Sequence, residues 1–251
     1  MTPFLSQAIA VLLVSLRIGP TLAFAPPFTL LRVPAAVRMM LGVALAAWLV
    51  AGNPASTWQV RSSGVALLVI ALSELMLGVA LALALQLAFA ALLVAGRVVD
   101  IQAGFGLAAL ADPTTKAQMP VVGTFFAYAT AAIFFATDGP RTLLAIWSAS
   151  IERTPLGSAT MGTDPARMIG YCSTVFLLAL GVAGLLILVL FVIDLAIAFM
   201  SRTLPQMNVL LLGFQVKTLA LLVTLPIAMA LAAASMLHVV SYALETMPEL
   251  G

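Results

Sequence analysis

Long runs of apolar residues dominate the chain, and short polar stretches separate them. The longest runs cover 65–95, 168–200 and 209–244, and shorter ones cover 4–24 and 37–51. A helix needs about 20 mostly apolar residues to cross the hydrocarbon core of a bilayer. We therefore predict membrane helices over these runs. At roughly 45 Å, the 65–95 helix exceeds the thickness of the bilayer core, so it must tilt, bend or project beyond the membrane.

Two pairs of apolar runs are joined by short connections and predict helical hairpins. The runs 121–136 and 143–151 flank Thr-Asp-Gly-Pro-Arg at 137–141, which is a strong turn signal. The two long C-terminal runs flank the eight residues 201–208, and this spacing favours an antiparallel pair of helices. We expect the last helix to give way to a short polar tail at 245–251.

The longest polar stretch inside the chain lies at 96–120. It reads GRVVDIQAGFGLAALADPTTKAQMP and combines three glycines, two prolines and several charges. We expect irregular backbone over this stretch. Because lipid cannot satisfy the hydrogen-bonding groups of irregular backbone, such a segment must line a cavity or lie outside the bilayer.

The composition restricts the chain to membrane proteins. Apolar residues make up 63% of the 251 residues, charged residues only 8%, and the mean hydropathy is +1.19. A soluble domain carries roughly 45–50% apolar and about 25% charged residues. This composition excludes a soluble enzyme, a disordered tail and a coiled coil, and it predicts an all-α integral membrane protein. The net charge of +2 includes no basic run, so we expect no nucleic-acid binding.

The residues needed for catalysis or metal binding are scarce. His238 is the single histidine of the sequence and Cys172 its single cysteine. The sequence contains no phosphate-binding loop, no HExxH motif and no paired cysteines. We therefore expect no catalytic, cofactor-binding or metal site, and the chain is not predicted to be an enzyme.

Four charged residues fall within or beside apolar runs: Glu74, Asp100, Asp194 and Lys217. Each costs about 2.5–3.5 kcal/mol on insertion scales when it lies in hydrocarbon. They could line a conduction path or contact another subunit, or they could mark helix ends outside the bilayer. For Glu74 we expect a partner or a wet cavity, and for Asp194 and Arg202, one turn from the tip of the hairpin, the sequence favours helix ends outside the bilayer.

Two polar motifs carry a resemblance to a known family. The segment 85–123 resembles the FliR family of flagellar export-gate proteins in its glutamine-containing turn, glycine-rich loop, Asp-Pro and Met-Pro. The matching residues there are Gln102, Gly104, Gly106, Asp112, Pro113, Met119 and Pro120. The segment 200–217 matches the family pattern at Arg202, Pro205, Gln206, Asn208, Gly213, Phe214 and Lys217, although Gln215 stands where the family usually has proline. Weaker matches are Glu74, Gly78, Pro155 and Gly157.

The resemblance implies a place in a large assembly. FliR-like chains join FliP, FliQ and FlhB subunits in the inner membrane at the flagellar basal body, and the assembly passes unfolded flagellar proteins outward. The resemblance predicts one polytopic membrane domain of long, bent helices arranged as helical hairpins. In that reading 1–167 is a FliP-like part that includes the loop at 97–120, and 168–251 is a FliQ-like hairpin. We expect no cofactor, and we expect lipid and unfolded protein as the other partners.

The resemblance also implies that the loop plugs the closed pore. By position the loop is 104–120, where glycines permit tight backbone paths and Phe105 and Leu107 supply bulk. The predicted plug residues are Gln102, Gly104, Phe105, Gly106, Leu107, Asp112, Pro113, Met119 and Pro120. The predicted intramembrane or subunit-contact polar residues are Glu74, Asp100, Asp194, Arg202, Gln206, Asn208 and Lys217.

Three other interpretations stay open at this point. Virulence-type export proteins, the SctT relatives, share the same plan, although Gly213-Phe214 after the second motif favours the flagellar branch. A secondary transporter acting alone would need a polar site at the midplane, often with an internal repeat. A purely structural scaffold would tolerate changes in the loop.

Overall fold

The computed structural model describes residues 3–31, 33–57, 64–105, 120–158, 165–203 and 209–250. All regular structure in these ranges is helical, which confirms the predicted all-α fold. The helices are α1 Pro3–Phe24, α2 Ala35–Gly52, α3 Pro54–Thr57, α4 Gly64–Ala103, α5 Val121–Ala136, α6 Gly139–Arg153, α7 Pro165–Thr203 and α8 Val209–Leu250.

Five of these helices are long and apolar enough to cross a membrane: α1, α2, α4, α7 and α8. They correspond to the five apolar runs of the sequence. The chain is therefore a multi-pass integral membrane protein, as the composition predicted.

Helix α4 continues further than the sequence indicated. It runs for 40 residues to Ala103, a length of about 60 Å. The prediction that irregular backbone begins at Gly96 is wrong, because 96–103 is helical and Asp100 and Gln102 lie on the last turns of the helix. Val99 and Ala103 are fully buried there, so tertiary packing outweighs the low helix propensity of one glycine.

Helices α5 and α6 meet at a sharp bend. They are bent by 73° at the break between them, which makes the pair a broken span or a re-entrant loop instead of the tight hairpin that the sequence favoured. The predicted turn is present, but it is short, because only Thr137 and Asp138 separate the two helices. Pro140 lies in the first turn of α6, where a missing N–H costs no hydrogen bond.

Helices α7 and α8 pack as the predicted antiparallel pair. Asp194 of α7 contacts Lys217 of α8, and further along α7 Ile197 lies beside Gly213. The residue numbers rise in α7 as they fall in α8, which is the register of an antiparallel pair.

The last helix continues beyond the predicted apolar run. Helix α8 extends to Leu250, so the prediction that it gives way to a tail after Leu244 is wrong. The reason is burial: Ala243, Leu244 and Met247 are almost completely buried, and their spacing continues the helical period beyond Leu244.

The described residues form two compact units. One comprises Met1–Ala88, Ala131–Ser173 and Val240–Gly251, and the other comprises Phe89–Thr130 and Thr174–Val239. Trp147 and Phe134 are among the largest buried side chains of the first unit, whereas Phe126 is fully buried in the second. The division into a FliP-like part and a FliQ-like hairpin stays a prediction.

Many large apolar side chains lie on the surface of the chain. In the most apolar windows of α2, α7 and α8 only 22%, 28% and 22% of the residues are buried. A folded chain exposes such surface only where something else covers it. These three helices are therefore solvated by lipid, by other subunits or by both.

Candidate functional site at the base of the loop

The C-terminal end of α4 begins the loop with a well-formed helix cap. The N–H of Gly104 donates to the carbonyl of Ile101 at 3.1 Å, and the N–H of Phe105 donates to the carbonyl of Asp100 at 3.0 Å. This pair of bonds is the Schellman motif, which requires a left-handed residue after the helix. Gly104 supplies it with a φ of +92°, so the backbone freedom expected of this glycine is confirmed.

Gln102, one turn before the cap ends, connects α4 to the α7–α8 pair by two hydrogen bonds. Its side-chain Nε2 donates to the carbonyl of Ile187 at 3.2 Å. Its backbone carbonyl accepts from Nζ of Lys217 at 3.0 Å. The same ammonium forms an ion pair with Asp194. The root of the loop is thus attached to both α7 and α8.

An aromatic contact adds to this attachment. The rings of Phe105 and Phe214 meet edge to face, with 6.3 Å between centroids and 74° between planes. Such a pair is worth about 0.5–1.5 kcal/mol beyond the area that it buries. A Cβ on Gly104 would lie 3.1 Å from Cδ2 of Phe214, so glycine also provides the space for this contact.

The far end of the loop is held by Asp100. Pro120 precedes α5, and its carbonyl accepts the first helical bond, from Thr124 N–H at 2.9 Å. Proline has no side-chain oxygen with which to cap the helix. Asp100 replaces that cap, because its two carboxylate oxygens lie 3.1 and 3.2 Å from the N–H of Val122. A carboxylate at this position also complements the positive end of the helix dipole.

A glycine pair brings α4 and α5 into backbone contact. A Cβ on Gly96 would overlap the backbone of Gly123, and a Cβ on Gly123 would lie 2.6 Å from the carbonyl of Leu93. Small residues of this kind permit close helix approach in membrane proteins. The close approach places Asp100, one turn after Gly96, within reach of the α5 terminus.

These contacts define the loop base, which we take as Asp100, Gln102, Gly104, Phe105, Pro120, Val122, Asp194, Lys217 and Phe214. The chain leaves the loop base at Phe105 and returns to it at Pro120, so both ends of the intervening segment are fixed. An arrangement of hydrogen bonds, one ion pair and one aromatic contact can position a segment mechanically. Within the described ranges, no group of three or more histidine, cysteine or acidic side chains could hold a metal ion.

The predicted site residues are distributed unevenly. Of the plug residues, Gln102, Gly104, Phe105 and Pro120 belong to the loop base, together with the polar residues Asp100, Asp194 and Lys217. Arg202 lies exposed near the end of α7, and Glu74 belongs to a separate cluster. The predictions at Gly106, Leu107, Asp112, Pro113, Met119, Gln206 and Asn208 lie outside the described residues.

The separate cluster surrounds a buried ion pair. Arg17 of α1 and Glu74 of α4 are fully buried, and Nε and Nη2 of Arg17 both lie 2.7 Å from Oε2 of Glu74. The guanidinium also donates to the carbonyls of Ser150 and Thr154, each at 2.9 Å, at the C-terminal end of α6. Glu74 therefore has a partner, as the sequence led us to expect, and that partner is the charged side chain of Arg17. The arginine also complements the negative end of the α6 dipole.

The weaker family matches converge on this cluster. Gly78 follows Glu74 by one turn and lets the backbone of α1 approach, since a Cβ there would lie 2.7 Å from the carbonyl of Leu16. Gly157 adopts a φ of +87°, and its N–H donates to Oε1 of Glu74 at 3.3 Å. The weaker matches to the family pattern thus lie around one buried ion pair.

Sequence reasoning missed several participants. Arg17, which lies within the first apolar run, was not predicted as a site residue, although an arginine within a membrane helix is itself a signal for a buried partner. The Gly96–Gly123 contact and the carbonyl of Ile187 were also missed. A glycine in each of two neighbouring helices is a weak indication of contact, and a backbone carbonyl leaves no mark in the sequence.

The five long apolar helices place the chain in the class of multi-pass membrane proteins. Residues 8–243 match the model of a protein family described as bacterial export proteins, family 1. The chain belongs to this family, and the resemblance to the FliR family is confirmed. As a member it is a component of a type III export apparatus.

Individual relatives agree with this assignment. The chain is 28% identical over 189 residues to flagellar biosynthetic protein FliR of Bacillus subtilis, which covers 73% of this chain and 72% of that protein. It is 26% identical over 200 residues to flagellar biosynthetic protein FliR of Escherichia coli, covering 79% and 76%. It is also 26% identical to Yop proteins translocation protein T of Yersinia pestis, over 58% of this chain and 57% of that protein.

Proposed function

We propose that the chain is the FliR-type subunit of a flagellar type III export gate in the bacterial inner membrane. In this role it joins FliP-like, FliQ-like and FlhB-like subunits around a channel for unfolded flagellar proteins. The apolar surfaces of α2, α7 and α8 support an assembly, because sister subunits can cover them as well as lipid does. A non-enzymatic role fits this proposal, since an export gate conducts its substrate without changing its covalent structure.

We further propose that the segment between Phe105 and Pro120 obstructs the channel when no substrate is present. The observation that carries this proposal is the bond from Val122 N–H to Asp100, which holds the returning end of the loop beside its root. A plug must keep its place against thermal motion and yet yield to a substrate. The described contacts that hold the two ends of this segment are a few polar contacts and one aromatic contact, which are weak enough to yield to a substrate.

The flagellar assignment is tested by complementation. The chain is produced in a flagellated bacterium that lacks its own FliR, and swimming and secretion of flagellar proteins are measured. We expect restored secretion and a complex that copurifies with FliP-like and FliQ-like subunits in mild detergent. A chain that purifies alone and restores no secretion would contradict the proposal. The same chain produced in a virulence system that lacks its translocation protein T separates the two branches, and secretion only there would overturn the flagellar assignment.

A further inference from the structure

We propose that Lys217 is the latch of the loop base, a positioning residue whose ammonium keeps the root of the loop attached to helices α7 and α8. This inference rests on the proposed plugging function, because a latch matters only if the loop obstructs something.

The bond that defines the latch joins Nζ of Lys217 to the carbonyl of Gln102 at 3.0 Å. The last four carbonyls of a helix have no partner within the helix. At the end of α4 the cap uses two of them, those of Asp100 and Ile101. Lys217 satisfies the carbonyl of Gln102, which is the next one toward the loop. A cation at this position also complements the negative end of the α4 dipole.

Asp194 orients the ammonium. The side chain of Lys217 is 17% exposed and that of Asp194 is 41% exposed, so the charge that loses more hydration is the lysine. An ammonium carries three N–H donors, which lets it serve the carboxylate and the carbonyl together. The ion pair therefore keeps the ammonium of a mostly buried lysine aimed at α4.

Gln102 completes the latch from the other side. Its side chain bonds to the carbonyl of Ile187, which lies seven residues, or about two helical turns, before Asp194 on α7. One residue of α4 is thus bonded to α7 through its side chain and to α8 through its backbone. If Nζ leaves, the last turn of α4 keeps one of these two bonds and the aromatic contact between Phe105 and Phe214.

Release of the latch should expose Ala103. This residue is fully buried at the end of α4, directly after Gln102. The native cysteine, Cys172, is free and half-buried, so it must first be removed as Cys172→Ala. In that background Ala103→Cys places a small reporter thiol on the turn that the latch holds. Its rate of reaction with a maleimide, measured in the assembled complex, reports how often this turn opens.

We expect Lys217→Met to accelerate labelling of the reporter by about tenfold, the scale of losing a charge-assisted hydrogen bond. Lys217→Arg keeps the charge and the donors, and should label nearly as slowly as the unmodified background. Thr218→Ala is the matched control, because the Thr218 hydroxyl is exposed and bonds within α8, to the carbonyl of Phe214. If Lys217→Met does not assemble, Asp194→Asn removes the orienting charge and should accelerate labelling as well.

A charge swap separates the latch from an ordinary ion pair. Lys217→Glu combined with Asp194→Lys restores opposite charges between α7 and α8, but places a carboxylate against the carbonyl of Gln102. We expect the swapped complex to assemble and yet to label as fast as Lys217→Met. Labelling at the background rate in the swapped complex would overturn the latch, because it would mean that the helix pairing alone holds the loop root.

Ion leak through the same complexes distinguishes failure of the latch from failure of the plug. Faster labelling with a larger leak supports both the latch and the plugging function. Faster labelling with an unchanged leak supports the latch and contradicts the plugging function. Labelling that stays at the background rate in Lys217→Met and in Asp194→Asn would overturn the latch, whatever the leak.

Discussion

The carboxylate of Asp100 accepts the backbone N–H of Val122, 22 residues further along the chain, and so joins the two ends of the loop. Because both oxygens lie near the same N–H, the contact fixes the start of α5 against the end of α4. The loop base is therefore the part of the described chain where substitutions should influence the gate most directly.

Two substitutions of Asp100 should separate the contribution of its acceptor oxygen from the contribution of its negative charge. Asp100→Ala leaves the buried N–H of Val122 without an acceptor, and we expect it to lower the free energy of unfolding by about 1–3 kcal/mol. Asp100→Asn keeps an acceptor oxygen and loses only the charge, so the loss should be smaller. Chemical denaturation of the purified chain in detergent measures both. Equal losses for the two variants would mean that the carboxylate does not act as the cap of α5.

The buried pair of Arg17 and Glu74 gives a second prediction. Glu74→Gln leaves a fully buried guanidinium without its counter-charge, which should destabilise the chain by about 3–5 kcal/mol. Arg17→Met combined with Glu74→Met removes both charges and keeps most of the volume, so the double variant should be more stable than Glu74→Gln.

The midpoint of thermal unfolding in detergent ranks these variants. The double variant serves as the control for lost volume, because it changes both side chains and leaves no uncompensated charge. A double variant less stable than Glu74→Gln would show that the two charges contribute net stability, contrary to this account.

The contact between Gly96 and Gly123 gives a third prediction. In Gly96→Ala the new Cβ would lie 2.8 Å from the carbonyl carbon of Val122, and backbone cannot yield as a flexible side chain can. We expect a loss of about 1–3 kcal/mol in the free energy of unfolding, the usual scale of overpacking. Gly181→Ala is the matched control, because a Cβ at Gly181 in helix α7 meets nothing within 4 Å. Equal stability of the two variants would contradict close packing of α4 against α5.

Much of the fold could be predicted from the sequence, because long apolar runs indicate membrane helices directly. All five long helices were expected, and α1 begins and ends within one residue of the run at 4–24. The errors occurred where tertiary contacts override a local signal. Gly96 was interpreted as the end of a helix, yet it continues α4 because α5 packs against it. Similarly, Glu245 was taken as the start of a polar tail, although buried Met247 extends α8.

The site could be predicted only in part. Local backbone requirements are visible in sequence, and the positive φ of Gly104 was correctly anticipated. Partners distant in sequence are not visible: nothing near Glu74 points to Arg17, 57 residues earlier. The sequence also does not reveal the bond from Lys217 to the carbonyl of Gln102. Every residue has a backbone carbonyl, and only the folded structure determines which one accepts the bond.

The most direct test of the central claim is the ion conductance of the assembled complex after deletion of 104–107 at the root of the loop. If the loop obstructs a channel, the deletion should produce a steady leak in reconstituted membranes, while the unmodified complex stays closed. Deletion of 159–162, which removes as many residues between α6 and α7, is the matched control and should leave conductance low. A correctly assembled complex that lacks 104–107 and conducts no more than the unmodified one would contradict the plugging function.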